Sequence, residues 1–152
     1  SFLYMLLVTK IFYFEMAHAI HGYAGACKNI HGHSYELEVT VSGCTTKDEY
    51  ILTPGFIIDF KELKQIVTDS IIRMIDHKLV LSQDYIAEHP SIRSQENLVM
   101  LAAEPTAENL LIHFQQILLQ ALPSGSKLVE LKLYETKDSF ARWMDITTLS
   151  YY

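Results

Sequence analysis

The chain has 152 residues, of which 49 % are hydrophobic, so it can bury one core, and we expect a single domain over 1–152. Its formal net charge is −6 and no basic cluster is present, which excludes the usual charge pattern of a nucleic-acid-binding protein. Two cysteines, Cys27 and Cys44, could pair but are too few for a disulfide scaffold. The apolar stretch SFLYMLLV lacks a basic leader and is too short to span a bilayer. We therefore expect a cytoplasmic protein with free thiols and no membrane association.

Two strands are predicted in the first third of the chain. The segment from about Tyr4 to Ala17 is rich in Val, Ile, Phe and Tyr, and one of its faces carries Phe12, Phe14, Met16 and then His18. A loop containing glycines follows. The second strand runs from about His33 to Gly43, and its alternation puts Tyr35, Leu37, Val39 and Val41 on the face that His31 and His33 share. These two strands are expected to form an antiparallel ribbon, and Pro54-Gly55 marks a turn after them.

Two helices are predicted next. Asp59 is a candidate N-cap with Glu62 in capping-box position, and the helix is expected to end near Asp76-His77. Its apolar stripe comprises Leu63, Ile66, Val67, Ile71 and Met74. Thr106 is the N-cap of the second helix, whose stripe comprises Leu110, Phe114, Ile117, Leu118 and Ala121. Between the two helices, a short helix is predicted from about Gln95 to Ala102.

The remaining pattern predicts two more strands, from about Lys127 to Thr136 and from about Arg142 to Leu149. The element order is then ββααββ, an α+β fold with a four-stranded antiparallel sheet and both helices on one face. Such a sheet has open edges, which stable proteins usually pair or cover. We therefore expect an oligomer in which sheets join edge to edge.

Three histidines end the apolar stripes of the first two strands: His18, His31 and His33. Three neutral imidazoles with an open fourth position are the catalytic form of a zinc site, whereas structural sites use four ligands, mainly cysteine. His21 is a weaker rival to His18 because it lies in the loop. His89 and His113 have no such context and are expected on the surface or on a helix.

Other candidate residues carry two interpretations each. Cys27 is either a small buried hydrophobic residue or a reactive thiol, and its position in the loop beside Lys28 and near the proposed cation favours the thiol. Cys44 is expected to be structural. Asp76-His77 is either a helix end that complements the helix dipole or an acid–base pair. Glu135 continues an apolar strand face, so it either turns to solvent or binds a ligand with adjacent N–H donors.

Six motifs together resemble one family. They are FEMAH (14–18), CKNIHGHSY (27–35), GFIIDFKELK (55–64), IDH (75–77), PTAEN (105–109) and YET (134–136). They resemble the 6-pyruvoyl-tetrahydropterin synthase and 6-carboxytetrahydropterin synthase family, occur in its order and cover nearly the whole chain. The resemblance implies a tunnelling fold whose chains form trimers stacked into hexamers, with joined β-barrels and active sites at subunit interfaces.

The same resemblance implies roles for individual residues. His18, His31 and His33 correspond to the ligands of Zn²⁺, and Cys27 corresponds to the catalytic base. Asp76 and His77 correspond to a pair supplied from a neighbouring subunit. Glu135 corresponds to the carboxylate that anchors the pterin ring, and Thr106 lies in a segment that contacts it.

The spacing of Cys27 and His31 resembles one branch of the family. Three residues lie between them, as in the bacterial 6-carboxytetrahydropterin synthases of queuosine biosynthesis, where the biopterin-pathway enzymes typically have five. Folate-pathway variants place a glutamate near this position, and none lies there in this chain. Two alternatives remain: a 6-pyruvoyl-tetrahydropterin synthase, and a non-catalytic metal-binding subunit of the same fold. The chain also departs from the family's usual Asp-His-x-x-Leu-Asn, since it reads Asp-His-Lys-Leu-Val-Leu over 76–81.

Overall fold

The computed structural model of the chain describes residues 5–43 and 50–148. The strands are β1 Leu7–His18, β2 His31–Gly43, β3 Lys78–Ser82, β4 Leu98–Leu101, β5 Ser126–Thr136 and β6 Ser139–Met144. The helices are α1 Phe60–Val67, a π-helical turn Thr68–Ile72, α2 Arg73–Ile75, α3 Gln83–Glu88 and α4 Ala107–Ala121. Within the described ranges, none of these helices has the length and apolarity needed to cross a membrane.

One mixed sheet holds all six strands, in the order β4-β3-β1-β2-β5-β6. The predicted antiparallel set is present, because β1 pairs with β2, β2 with β5, and β5 with β6 in antiparallel register. The predicted count of four strands is wrong. Strands β3 and β4 extend the sheet beyond β1 in parallel register, and β4 lies where a short helix from Gln95 to Ala102 was predicted.

The residue pattern of β3 does not identify it as a strand in the sequence. In β3, Leu79, Val80, Leu81 and Ser82 are all buried, because both faces of the strand are covered. Val80 faces the main core, whereas Leu79 and Leu81 pack with Ile86 of α3 in a second, smaller core. A parallel strand buried on both faces shows no alternation, so a short apolar run does not reveal whether it is helix or strand.

Alternation along β1 and β2 places the predicted residues on the predicted faces. Phe12, Phe14, Met16 and His18 of β1 are buried, as are Tyr35, Leu37, Val39 and Val41 of β2. The register pairs His18 with His31 and Met16 with His33, so all three histidines lie at the same end of the ribbon. Both long helices pack on this face, since the main core joins residues of α1 and α4 to those of β1, β2 and β5.

Helix boundaries follow the predicted caps, with one difference along the first helix. Asp59 caps α1 by accepting a hydrogen bond from the backbone N–H of Lys61 at 2.8 Å, and Thr106 caps α4. Met74 is 63 % exposed although its spacing assigned it to the buried stripe. The π-helical turn Thr68–Ile72 rotates the following residues relative to a regular α-helix, which buries Ile75 instead.

The bounds of the last predicted strand differ from the prediction, and some predicted positions lie outside the described residues. The last predicted strand corresponds to β6, which begins at Ser139, about three residues earlier than predicted, and ends at Met144, about five residues earlier, before a 3₁₀ turn Ile146–Thr148. Its predicted end at Leu149, the predicted start of the first strand at Tyr4, and the structural role expected of Cys44 lie outside the described residues.

Replacing Leu37 with alanine is expected to destabilise the fold by about 2–5 kcal/mol, because the side chain is fully buried and its removal leaves a cavity. Leu37 lies opposite Phe12 on one neighbouring strand and Leu133 on the other. Urea unfolding followed by circular dichroism measures the loss. Glu38→Ala, one residue along on the opposite face, is the matched control and should change the unfolding free energy by less than about 0.5 kcal/mol. Equal losses in both variants would contradict the assignment of faces.

Candidate metal centre and active site

His18, His31 and His33 form a cluster at the end of the β1–β2 ribbon. Each offers one ligand nitrogen, and the three atoms lie within 4.8 Å of one another. The ring centroids are 4.6 Å apart for His18 and His31, 5.2 Å for His18 and His33, and 5.0 Å for His31 and His33. The three residues that the sequence assigned to one face therefore meet at one point.

Backbone carbonyls fix the orientation of two of these rings. His18 Nδ1 lies 2.7 Å from Pro105 O, and His31 Nδ1 lies 2.7 Å from Asn29 O. A carbonyl oxygen can only accept a hydrogen bond, so both Nδ1 atoms carry the proton and both Nε2 atoms of the neutral rings present lone pairs. This carbonyl partner on the far nitrogen is the usual arrangement for a histidine that ligates a metal.

The remaining nitrogens fit a metal ion. His18 Nε2 and His31 Nε2 face each other at 3.1 Å, and with both rings neutral a cation beside the two nitrogens would accept both lone pairs. Nitrogens on a tetrahedral zinc are roughly 3.3 Å apart. His33 Nε2 is buried without a partner in hydrogen-bond geometry, although Glu135 Oε1 is only 3.0 Å away. The donor set therefore fits a divalent metal bound by three imidazoles.

The surroundings of His18 favour its neutral form. Burial lowers the pKa of His18 below its ordinary value, against the opposing effects of its hydrogen bond to Pro105 and of the Glu135 charge. Burial likewise raises the pKa of Tyr35, and Glu135 acts in the same direction. The Tyr35 hydroxyl is buried and has no hydrogen-bond partner among the described residues. Metal binding requires the neutral imidazole, which is the form that burial of His18 favours.

Glu135 lies beside the cluster, where the sequence placed it on an apolar strand face. The pairing of β5 with β6 is irregular between Tyr134 and Thr136, so Glu135 sits at a bulge. Bulges re-aim side chains and are frequent next to active sites. Of the two interpretations of Glu135, the one with a partner is favoured, because its carboxylate is half-buried and 3.0 Å from His33 Nε2.

Cys27 occupies a short 3₁₀ turn, Ala26–Lys28, in the loop between β1 and β2. Its side chain is half-buried. Its carbonyl accepts a hydrogen bond from the backbone N–H of Ile20 at 2.8 Å, which ties the turn to the chain two residues beyond His18. The predicted thiol is therefore anchored at the same end of the ribbon as the three histidines.

Asp76 and His77 form the predicted pair, with Asp76 Oδ1 3.0 Å from His77 Nδ1. The backbone of Glu15 holds both, because Glu15 N donates to Asp76 Oδ1 at 2.9 Å and Glu15 O accepts from His77 N at 2.6 Å. His77 adopts a φ of 61°, a left-handed conformation that is uncommon outside glycine. Residues held in such conformations cluster at functional sites.

The Asp76-His77 pair lies on the other side of the sheet from the histidine cluster. His77 is 77 % exposed and lines an open pocket of about 350 Å³ together with Glu15 and Ser34, both on the exposed face of the ribbon. His33 also borders this pocket, but its ring points to the buried face, as alternation requires. No hydrogen bond or ion pair links His77 to Cys27 or to the three histidines in the part of the chain that the structure describes.

The other predicted residues have identifiable surroundings. Thr106 accepts a hydrogen bond from the backbone N–H of Asn109 at 3.2 Å and follows Pro105, the partner of His18. His21 lies outside the cluster, with its Nδ1 3.5 Å from Glu88, so His18 is the better third ligand. Of the two histidines expected elsewhere, His89 stacks on Tyr85 and His113 is on α4.

Comparison with known proteins adds to this geometry. A model of the family described as 6-pyruvoyl tetrahydropterin synthase matches residues 7–145. The chain belongs to the 6-pyruvoyl tetrahydropterin synthase family. A relative from Rickettsia typhi named 6-carboxy-5,6,7,8-tetrahydropterin synthase is 31% identical over 140 residues, which cover 90% of this chain and 98% of that protein. A relative of the same name from Haemophilus influenzae is 39% identical over 79 residues, covering 52% and 55%.

The fold agrees with the family assignment. The solved structure of 6-pyruvoyl tetrahydropterin synthase from Caenorhabditis elegans matches with a TM-score of 0.65 at 21% identity, over 95% of this chain and 99% of that one. The predicted tunnelling fold is confirmed, with the two extra parallel strands described above. The family and the names of its members make this chain a pterin synthase.

Sequence reasoning missed the groups that hold the cluster in place. Pro105 O and Asn29 O orient two of the imidazoles, and Glu104 Oε1 accepts a hydrogen bond from the backbone N–H of His21 at 2.7 Å. Every residue has a backbone carbonyl, so the sequence does not show which carbonyls accept these hydrogen bonds. The only available signal was the position of Pro105 within the matching PTAEN segment.

Proposed function

We propose that this pterin synthase is a zinc-dependent lyase that acts on 7,8-dihydroneopterin triphosphate. With water, it would yield 6-carboxy-5,6,7,8-tetrahydropterin, acetaldehyde and triphosphate, the 6-carboxytetrahydropterin synthase reaction of queuosine biosynthesis. The observation that carries the proposal is the cluster of three imidazoles with two Nε2 atoms at 3.1 Å beside a half-buried carboxylate. The choice of reaction is supported by the three-residue spacing between Cys27 and His31 and by the names of the relatives.

His18, His31 and His33 would hold the zinc. When bound, it supplies a Lewis acid that polarises the side-chain oxygens of the substrate and acidifies the neighbouring C–H and O–H bonds. A catalytic zinc needs an open position beside its three protein ligands, and the cluster contains three histidines among the described residues. The metal is thus expected to be required for turnover rather than for the fold alone.

Cys27 is the proposed base that takes protons from the substrate side chain and returns them. His77, oriented by Asp76 through the 3.0 Å contact at Nδ1, is the proposed carrier of a second proton at its Nε2. Glu135 would bind the pterin ring, since a carboxylate accepts two parallel N–H hydrogen bonds. Thr106 would contact the same ring from the N-terminus of α4.

Three basic residues are candidates for binding the triphosphate. Arg142 is the weakest of them, because its Nε is already 2.7 Å from Glu130 Oε1. Lys78 borders the pocket that contains His77, and Lys28 follows Cys27 directly. Both lysines are therefore better placed than Arg142 to meet a phosphate group near the proposed proton carriers.

We also propose that each site is shared between chains of a trimer or hexamer. Asp76-His77 lies on the exposed face of the sheet and Cys27 at the loop end of the ribbon, so one chain does not bring them together. The edge strands β4 and β6 are available to join neighbouring sheets into a barrel. A neighbouring chain would then present its Asp76-His77 pair to the Cys27 of this one.

Mixing two inactive variants is expected to restore activity if sites are shared. Chains of Cys27→Ala and His77→Ala, co-expressed in equal amounts, should recover about a quarter of the wild-type sites, because random assembly joins an intact Cys27 to an intact His77 with that frequency. Pterin product formation per chain measures the recovery.

The matched control for this mixture combines Cys27→Ala with His31→Ala. Both residues belong to the same chain's share of the site, so no random assembly restores an intact set and activity should stay at the level of the single variants. Absence of recovery with His77→Ala, from a mixture shown to co-assemble, would place the pair and the thiol in the same chain's site.

The decisive test of the proposed reaction is product identification. The protein, loaded with zinc, is incubated with 7,8-dihydroneopterin triphosphate and the pterin product is identified by mass, with acetaldehyde assayed in parallel. We expect the 6-carboxy product and acetaldehyde in equal amounts. The 6-pyruvoyl product without acetaldehyde would instead establish the biopterin-type reaction, and bound zinc without turnover would establish a non-catalytic metal-binding subunit.

A further inference from the structure

We propose that Glu104 is a positioning residue for the metal ligand His18, an inference that rests on the metal site proposed above. The carboxylate of Glu104 would clamp the chain leaving β1 to the segment that carries Pro105. That segment supplies the carbonyl that orients the His18 ring.

The orientation of His18 depends on a distant part of the chain. The ring is 2% exposed, and its Nδ1–H donates to Pro105 O across 87 residues of sequence. Pro105 lies in the irregular segment between β4 and α4, so neither a strand nor a helix fixes its carbonyl. A small shift of this segment relative to β1 would turn the ring and move its Nε2 away from the cluster.

Glu104 makes hydrogen bonds both to the start of α4 and to the chain that leaves β1. Its backbone carbonyl accepts from Thr106 N at 2.8 Å and from Asn109 Nδ2 at 3.0 Å, which fixes the segment to the start of α4. Its side-chain Oε1 accepts from the backbone N–H of His21 at 2.7 Å, three residues after His18. Hydrogen bonds to a carboxylate are among the stronger ones in proteins, so this contact suits a clamp.

The clamp also reaches the loop that carries the thiol. Ile20, next to His21, donates its backbone N–H to Cys27 O at 2.8 Å. Residues 19–27 are thus held by two hydrogen bonds, one from His21 N to the Glu104 carboxylate and one from Ile20 N to Cys27 O. Loss of the Glu104 carboxylate should therefore disturb metal binding before it disturbs the sheet, because β1 and β2 remain paired through His18 and His31.

The test measures metal affinity rather than turnover. Co²⁺ is titrated into metal-free protein and its absorption bands are followed against a competing chelator. Glu104→Ala should bind Co²⁺ about 10–100-fold more weakly, the usual effect of losing a group that supports a ligand. Glu104→Gln keeps an oxygen acceptor at the same place and should stay within about threefold of the unaltered protein.

Glu88→Ala is the matched control, because Glu88 contacts the side chain of the same His21 at 3.5 Å and is 65% exposed. It should leave Co²⁺ affinity unchanged. Glu104→Asp, whose shorter side chain cannot span the 2.7 Å contact unaltered, serves if the alanine variant does not fold, and it should also weaken binding. Circular dichroism of the metal-free variants confirms that each is folded.

Three outcomes would overturn the proposal. Wild-type affinity in a folded Glu104→Ala or Glu104→Asp variant would show that the clamp does not position His18, while leaving the metal site intact. An equal loss in Glu104→Gln would show that the hydrogen bond from His21 N is not the cause. Absence of Co²⁺ binding by the unaltered protein would overturn the metal site itself, and the proposed function with it.

Discussion

Replacing His31 with alanine is expected to remove the bound metal and to lower turnover by at least about 1,000-fold. A bound Lewis acid contributes several kcal/mol to the stabilisation of the transition state, and each 1.36 kcal/mol corresponds to a factor of ten in rate. His31 suits this test better than His18, because it is half-buried whereas His18 is 2 % exposed and hydrogen-bonded to Pro105 O. Loss of the fold is therefore a smaller concern with His31.

The measurements for His31→Ala are metal content per chain after dialysis and the rate of pterin product formation. His89→Ala is the matched control, since His89 stacks on Tyr85 away from the cluster and should leave both values unchanged. A His31→Ala protein with full metal content would mean that the three imidazoles are not the ligand set. Full turnover without metal would remove the metal from the mechanism altogether.

The central ribbon and the histidine cluster were predictable because one physical rule governs them both. Alternation in a strand fixes which residues share a face, so His18, His31 and His33 could be assigned to one side from their spacing alone. Their convergence needed only the antiparallel pairing of β1 and β2, which is a local pairing because one loop connects the two strands. The caps at Asp59 and Thr106 were predictable for a similar reason, since side-chain capping is a local interaction.

The features that were missed depend on tertiary contacts rather than on local pattern. Strand β3 has its outer face covered by α3, which packs on Leu79 and Leu81, and β4 pairs along β3. Runs of four or five apolar residues are too short to show a period in the sequence. The π-helical turn that exposes Met74 has no marker in the residue types. Glu104 lies outside every predicted element, and its importance comes from contacts with both His21 and Asn109.

Replacing Cys27 with alanine is expected to lower kcat by about 100- to 10,000-fold, the range that a positioned proton-transfer group contributes. Metal content should stay at the wild-type level, because Cys27 is not one of the three residues of the cluster. This combination separates the thiol from the ligands, since His31→Ala loses both metal and turnover. Cys27→Ser should be impaired almost as strongly, because a hydroxyl gives up its proton far less readily than a thiol.

The Cys27→Ala result is decided by kcat and metal content measured on the same sample. Adding His77→Ala to Cys27→Ala should cost much less than the product of the two single losses, because groups that act in one proton-transfer sequence are not additive. The hydrogen bond from Ile20 N to Cys27 O joins backbone atoms, so neither substitution at position 27 removes it and the loop should keep its conformation. A Cys27→Ala enzyme with metal bound and full turnover would show that the base lies elsewhere, with Glu135, 3.0 Å from His33 Nε2, then the next candidate.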